Sequence, residues 1–157
     1  MIILIKMKIN PYLLLIFVPI IFGFLAGSIG KPDEWYEKLK KPLFNPPRIV
    51  FPIAWTILYI LLGIAYYFGL NNKDFRYFII PFIHLILNFS YSPMFFYFKK
   101  ILGSAILTLI ILIFAIMTMI QFAITNKNLI SVYLMIPYIL WLIFATYLAW
   151  SIYKINK

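Results

Sequence analysis

KPDEWYEKLKKPLFNPPRIVFPIAWTILYILLGIAYY, residues 31–67, joins a charged, proline-studded loop directly to an apolar helix striped with aromatic side chains. The apolar half carries no charge after Arg48 and is long enough to cross hydrocarbon, which takes roughly 20 residues as a helix. The rest of the chain has the same character. Of its 157 residues, 65% are hydrophobic and 11% charged, with mean hydropathy +0.99, too apolar for a soluble domain and suited to a polytopic membrane protein. Backbone polar groups must be paired inside the bilayer, so the expected fold class is all-α: a five-transmembrane-helix bundle forming one membrane domain over residues 1–157. The predicted spans are residues 11–29, 48–70, 75–97, 101–125 and 129–153, with a single long loop at 30–47.

Residues 1–10 place Lys6 and Lys8 ahead of an apolar run, as a signal peptide would, but no small-residue cleavage site follows before Gly30, so the run is read as the first span. The absence of a targeting extension favours a prokaryotic plasma membrane. Net charge is +10, yet the basic residues are scattered over short connections and give no nucleic-acid footprint. They read as topology. One side of a five-span chain carries Lys6, Lys8, Lys73, Arg76 and Lys127; the other carries Lys31, Lys38, Lys40, Lys41, Arg48, Lys99, Lys100, Lys154 and Lys157. The positive-inside rule then puts the first loop and the C-terminus in the cytosol.

The chain has no cysteine and one histidine, which excludes disulfides, thiolate chemistry and the usual metal sites. All four carboxylates, Asp33, Glu34, Glu37 and Asp74, fall in loops. Spans without an acid lack the usual device of ion-coupled transport, and paired-carboxylate hydrolysis has no pair to use. What the spans offer is aromatic surface with a few neutral hydrogen-bonding groups. Phe51, Trp55 and Tyr59 recur every four residues in the second span; His84, Asn88, Tyr91 and Phe95 share a face of the third; Tyr138, Trp141, Ala145 and Leu148 share one of the fifth. Three such stripes could enclose one cavity in the cytosolic half, beneath the long loop, fit for a large flat apolar ligand.

Each element has a plainer reading. Aromatic stripes also pack helices together without any ligand, and Asn88 could simply tie two helices. His84 could ligate haem iron axially, although no second ligand is visible. Gly23 and Gly27 form a GxxxG that would serve either a homodimer or packing within the chain. Leu148, Tyr153 and Lys157 satisfy a loose cholesterol pattern that any aromatic helix end with lysines meets by chance. Pro46 and Pro47 are expected to start the second helix.

The order Trp35, Leu39, Lys41-Pro42, Phe44, Pro46-Pro47, Phe51, Trp55, Thr56, Tyr59, Gly63 and Ala65 resembles the tryptophan-rich sensory protein/translocator protein (TspO/MBR) family. PYILWLIFATYLAW at 137–150 resembles its closing signature, and His84, Leu87-Asn88 and Phe95-Phe96 fall in the expected order between them. The resemblance implies a five-helix bundle that binds porphyrins, haem and related tetrapyrroles, and cholesterol in animal members, in a pocket capped by the first loop. No cofactor would be obligatory; the tetrapyrrole is the ligand, with membrane lipids, sterol-like ones included, as further partners. Carried onto this sequence, the pocket tryptophans are Trp55 and Trp141, the third-helix asparagine is Asn88, and the loop aromatic that closes over ligand is Trp35 or Tyr36. Phe51, Tyr59, His84, Tyr91, Tyr138 and Ala145 complete the expected ligand-binding set. A sensor or regulator of porphyrin or stress physiology is the resulting expectation, with two alternatives: a transporter of tetrapyrroles or lipids, and an enzyme degrading porphyrin by light-dependent oxidation through Trp55 and Trp141. Three departures stand out. His84 replaces a common glutamine or asparagine, Tyr91 a common tryptophan, and Ala149 an asparagine after ATYL.

Overall fold

The computed structural model describes residues 10–157; Lys6 and Lys8, counted in the charge balance, lie outside that range. Five helices in it are long and apolar enough to cross a membrane: Pro11–Ile29, Val50–Leu70, Phe75–Tyr97, Ile101–Thr125 and Ile130–Asn156. The described residues contain no strand. The first span opens as a 3₁₀ helix at Pro11–Ile16 and continues as α1, Val18–Ile29; the second is α3, Val50–Leu70. In the third, a 3₁₀ turn at Phe75–Phe78 leads into α4, Ile79–Ser92, and then into a π-helical turn, Pro93–Tyr97. The last two are α5, Ile101–Thr125, and α6, Ile130–Asn156. Helix α1 contacts α3 and α4, α3 contacts α6, α6 contacts α5, and α5 contacts α4, so the five spans close into a ring.

Helical periodicity decides which side chains fill that ring. On α3, Leu58, Leu62, Ala65, Tyr66 and Leu70 are buried at spacings of three and four, and α5 matches them with Ala105, Thr108, Ile111, Ala115, Thr118 and Phe122. The opposite faces are equally apolar: Ile57, Ile60, Ile113, Ile120 and Ile143 are exposed, as expected where the solvent is lipid. Gly63 sets the closest approach between the first two spans. A Cβ there would fall on the backbone carbonyl of Ile16, so only glycine lets the two backbones meet.

Local chemistry moves several boundaries from their expected places. Helix α3 begins at Val50, because a turn over 48–49 bonds the Val50 N–H to the Pro47 carbonyl at 3.0 Å. Pro46 and Pro47 therefore precede the helix instead of occupying its first turn. The loop contains an unexpected short helix, α2, Glu34–Lys38, whose N-terminus is capped by Asp33 accepting from the Tyr36 N–H at 3.2 Å. Helix α6 runs to Asn156, three residues past its expected end. There Asn156 exchanges two hydrogen bonds with the Lys40 backbone, at 2.9 and 2.8 Å, and ties the loop to the last helix.

Candidate functional site

At the end of the ring that carries residues 30–47, the spans part around a cavity of about 520 Å3. Helix α3 contributes Phe51, Trp55 and Tyr59, so the fourfold spacing read in the sequence does turn one aromatic face inward. The third span adds Asn88, Tyr91 and Phe95; α6 adds Trp141, Ala145 and Ala149; α5 adds Thr108 and Ile111; α1 adds Gly23 and Gly27. The two indoles stand nearly perpendicular, with Trp55 and Trp141 centroids 6.4 Å apart at 87°, and Phe51 meets Trp141 edge-on at 6.2 Å. The indole Nε1 of Trp141 and the Oδ1 of Asn45 are buried and have no hydrogen-bond partner among the described residues. Each is a polar valence that a ligand in the cavity could satisfy.

The loop forms the roof. Tyr36 lines the cavity and is buried against Phe95 and Phe96, with ring centroids 6.1 and 5.3 Å away. Pro93 has no N–H to give α4, and the wider π turn that follows closes Phe98 N onto the Pro93 carbonyl at 3.0 Å and carries Phe95 into the core. Lys99 ends the turn in the left-handed region (φ 55°), an uncommon place for a lysine. Its ammonium pairs with Asp33 at 2.9 Å and lies 5.5 Å from the Trp35 ring centroid. Lys41 Nζ donates to the carbonyls of Tyr36, Glu37 and Leu39, which closes the C-terminal end of α2.

Burial pushes the Tyr36 phenol up from its ordinary value. The Lys99 hydrogen bond, and after it the Tyr36 N–H, hold the Asp33 carboxyl below its ordinary 3.8. Since the folded value is the depressed one, this contribution to docking of α2 is complete above pH 3.8 and is lost as pH falls through the lower folded value. Exchange protection of the Tyr36 and Glu37 amides, corrected for intrinsic rates, is therefore expected to be lower at about pH 3 than at about pH 5. The Asp33→Asn variant should show a smaller difference, because only the Glu37–Arg48 pair then remains to respond to acid.

Eight of the eleven expected ligand-binding residues line the cavity: Tyr36, Phe51, Trp55, Tyr59, Asn88, Tyr91, Trp141 and Ala145. Trp35, His84 and Tyr138 do not. Trp35 sits half-buried outside the roof, edge-on to Phe95 at 5.6 Å. His84 and Tyr138 are 0% exposed behind the wall. Both imidazole nitrogens are engaged, Nδ1 with the Tyr66 hydroxyl at 2.6 Å and Nε2 with the Tyr138 hydroxyl at 2.7 Å, so neither is free to ligate an iron. His84 and Asn88 share a helix face, both reaching the Tyr138 hydroxyl, but depth separates them. The GxxxG glycines also part company. Gly23 is covered by the Tyr59 ring, so that half of the motif packs within the chain, whereas a Cβ at Gly27 would meet nothing within 4 Å. Of the basic loop residues, Arg48 lines the cavity and pairs with Glu37 at 2.7 Å.

Residues 15–154 match the model of the TspO/MBR family. The tryptophan-rich protein TspO of Bacillus cereus is 34% identical over 138 residues, covering 85% of this chain and 89% of that one. The tryptophan-rich sensory protein of Cereibacter sphaeroides is 32% identical over 132 residues, 83% of this chain and 82% of its own. The translocator protein of Sus scrofa is 27% identical over 152 residues, 89% of this chain and 86% of its own.

Proposed function

The chain belongs to the TspO/MBR family of membrane sensory and translocator proteins, and from that premise we propose that it binds a tetrapyrrole, porphyrin or haem, in the cavity under the first loop and acts as a sensor of it. The observation that carries this reading is the cavity itself. It has two perpendicular indoles, further aromatic walls, and a size in the range of roughly 300–1,000 Å3 typical of small-molecule sites. A flat macrocycle would be held chiefly by burial against Phe51, Trp55, Tyr59 and Trp141. Its propionates would compete with Glu37 for Arg48, while Lys41 is already spent on the carbonyls of α2. The roof and C-terminus face the cytosol of a prokaryotic plasma membrane in this proposal, which the lysine- and arginine-rich side of the chain supports. Membrane lipids bathe the exposed apolar faces, and no obligatory cofactor is required.

Titration of the detergent-purified protein with protoporphyrin in the dark, followed by porphyrin absorbance, tests the proposal. Trp55→Ala is expected to weaken binding about tenfold, the value of withdrawing roughly 60 Å2 of apolar contact. Saturable binding that is unchanged in this variant would place the ligand elsewhere. The close Trp55–Trp141 pair also favours a second reading, light-dependent porphyrin oxidation. Bleaching under illumination that disappears in Trp141→Phe while dark binding survives would select it over sensing alone.

A further inference from the structure

Behind the cavity runs an unbroken chain of hydrogen bonds, part-buried at its cavity end and buried from Asn88 inward. It starts at Tyr59, whose hydroxyl lies 2.9 Å from Asn88 Oδ1; Asn88 Nδ2 lies 2.7 Å from the Tyr138 hydroxyl. The Tyr138 hydroxyl reaches His84 Nε2 at 2.7 Å, His84 Nδ1 reaches the Tyr66 hydroxyl at 2.6 Å, and the Tyr66 hydroxyl reaches the Pro81 carbonyl at 3.0 Å. The last link favours one direction for the others, because a carbonyl can only accept and the 3.0 Å contact is a hydrogen bond only with Tyr66 as its donor. Tyr66 spends its one proton on Pro81, so His84 must donate from Nδ1 to the Tyr66 oxygen. A neutral imidazole then accepts at Nε2 from Tyr138, leaving the Tyr138 oxygen to accept from Asn88, and Asn88 Oδ1 to accept from Tyr59. Each of the five links then has one donor and one acceptor. With the Asn88 carboxamide turned over, the opposite imidazole tautomer could reverse the links as far as Tyr59, but it would leave the Tyr66 and Pro81 oxygens 3.0 Å apart with no proton between them. A charged ring would carry the cost of an unpaired cation in a dry core.

We propose that Tyr66 and His84 are positioning residues that set the polarity of the cavity's deep end. Through this chain they commit the Tyr59 proton inward, so that the phenol oxygen faces the cavity as an acceptor and selects ligands carrying an O–H or N–H there. Neither residue lines the cavity. Removing the Tyr66 hydroxyl takes away the acceptor of Nδ1–H. The proton then moves to Nε2, Tyr138 turns its hydroxyl onto Asn88, the carboxamide flips, and Tyr59 presents a donor instead. A glutamine at position 84 carries one donor and one acceptor and preserves the original direction.

The inference rests on the cavity being the ligand site, but its first test does not. His84 is the sole histidine of the chain, so 15N-histidine labelling of the unliganded protein yields one imidazole. Its nitrogen spectrum is expected to show the neutral Nδ1–H tautomer in the wild type and the Nε2–H tautomer in Tyr66→Phe. An Nε2–H or doubly protonated ring in the wild type overturns the proposal. The second test compares haematoporphyrin with its dimethyl ether, in which a methyl group replaces each hydroxyl proton, so that Tyr66→Phe, which leaves the cavity lining unchanged, controls for the added bulk. The wild type and His84→Gln are expected to prefer the free hydroxyl by about two- to tenfold, the value of one net hydrogen bond, and Tyr66→Phe to lose that preference. A preference retained in Tyr66→Phe, or absent from the wild type, overturns the selection at Tyr59. If no porphyrin binds at all, the tetrapyrrole reading fails while the imidazole spectrum still decides the chain's direction.

Discussion

Replacing Gly63 by valine is expected to abolish most folded protein. Overpacking a core usually costs about 1–3 kcal/mol because flexible side chains give way, but here the obstacle is the backbone carbonyl of Ile16. Neither helix can yield at that point. Ile16 ends the 3₁₀ opening of the first span, and Gly63 is buried in the middle of α3, with Leu62 and Ala65 packed into the core beside it. Relief requires α1 and α3 to separate, which also strips Tyr59 of its contact with Gly23. The expected cost is at least ~3 kcal/mol, visible as loss of monodisperse protein in detergent and a much lower thermal midpoint. A wild-type midpoint would mean that the start of the first span does not pack against α3.

That glycine was legible in the sequence only as part of a family pattern, and the reason is general. The periodicity of apolar residues reports which face of a helix is buried, and on that basis all five spans and the aromatic stripes were readable. It does not report which helix lies opposite, and the role of Gly63 belongs wholly to its neighbour across the interface. His84 shows the same limit in depth. It shares a helical face with Asn88, yet Asn88 borders the cavity while His84 lies one turn deeper, between two tyrosines from α3 and α6. Spacing fixes direction around the axis, not the point along it at which a cavity ends. The short helix α2 was within reach, since Asp33 before an acidic first turn is a helix-start signal, but five residues are too few for periodicity to register.

Gly27→Trp tests the cavity from the side that sequence reasoning left empty. Gly23 and Gly27 form one motif, and in sequence nothing tells them apart. In the structure the first is filled by the Tyr59 ring and the second opens on the cavity. An added Cβ at Gly27 meets no neighbour within 4 Å, and replacing glycine within a helix lowers backbone entropy loss, so the fold should be unharmed or slightly stabilised. The indole, however, adds bulk on the α1 side of the cavity, in space that a ligand there would need. Protoporphyrin affinity is therefore expected to fall roughly a hundredfold, about 2.7 kcal/mol, with the thermal midpoint unchanged or slightly raised, whereas Gly27→Ala should bind as the wild type does. The contrast in mechanism is the value of the experiment. Trp55→Ala weakens binding by removing a wall but also loosens the core against which Trp55 packs; Gly27→Trp removes nothing and adds bulk only where the structure has space. Full affinity in Gly27→Trp would show that the ligand does not occupy the α1 side of the cavity, and would confine the binding site to the opposing faces of α3 and α6.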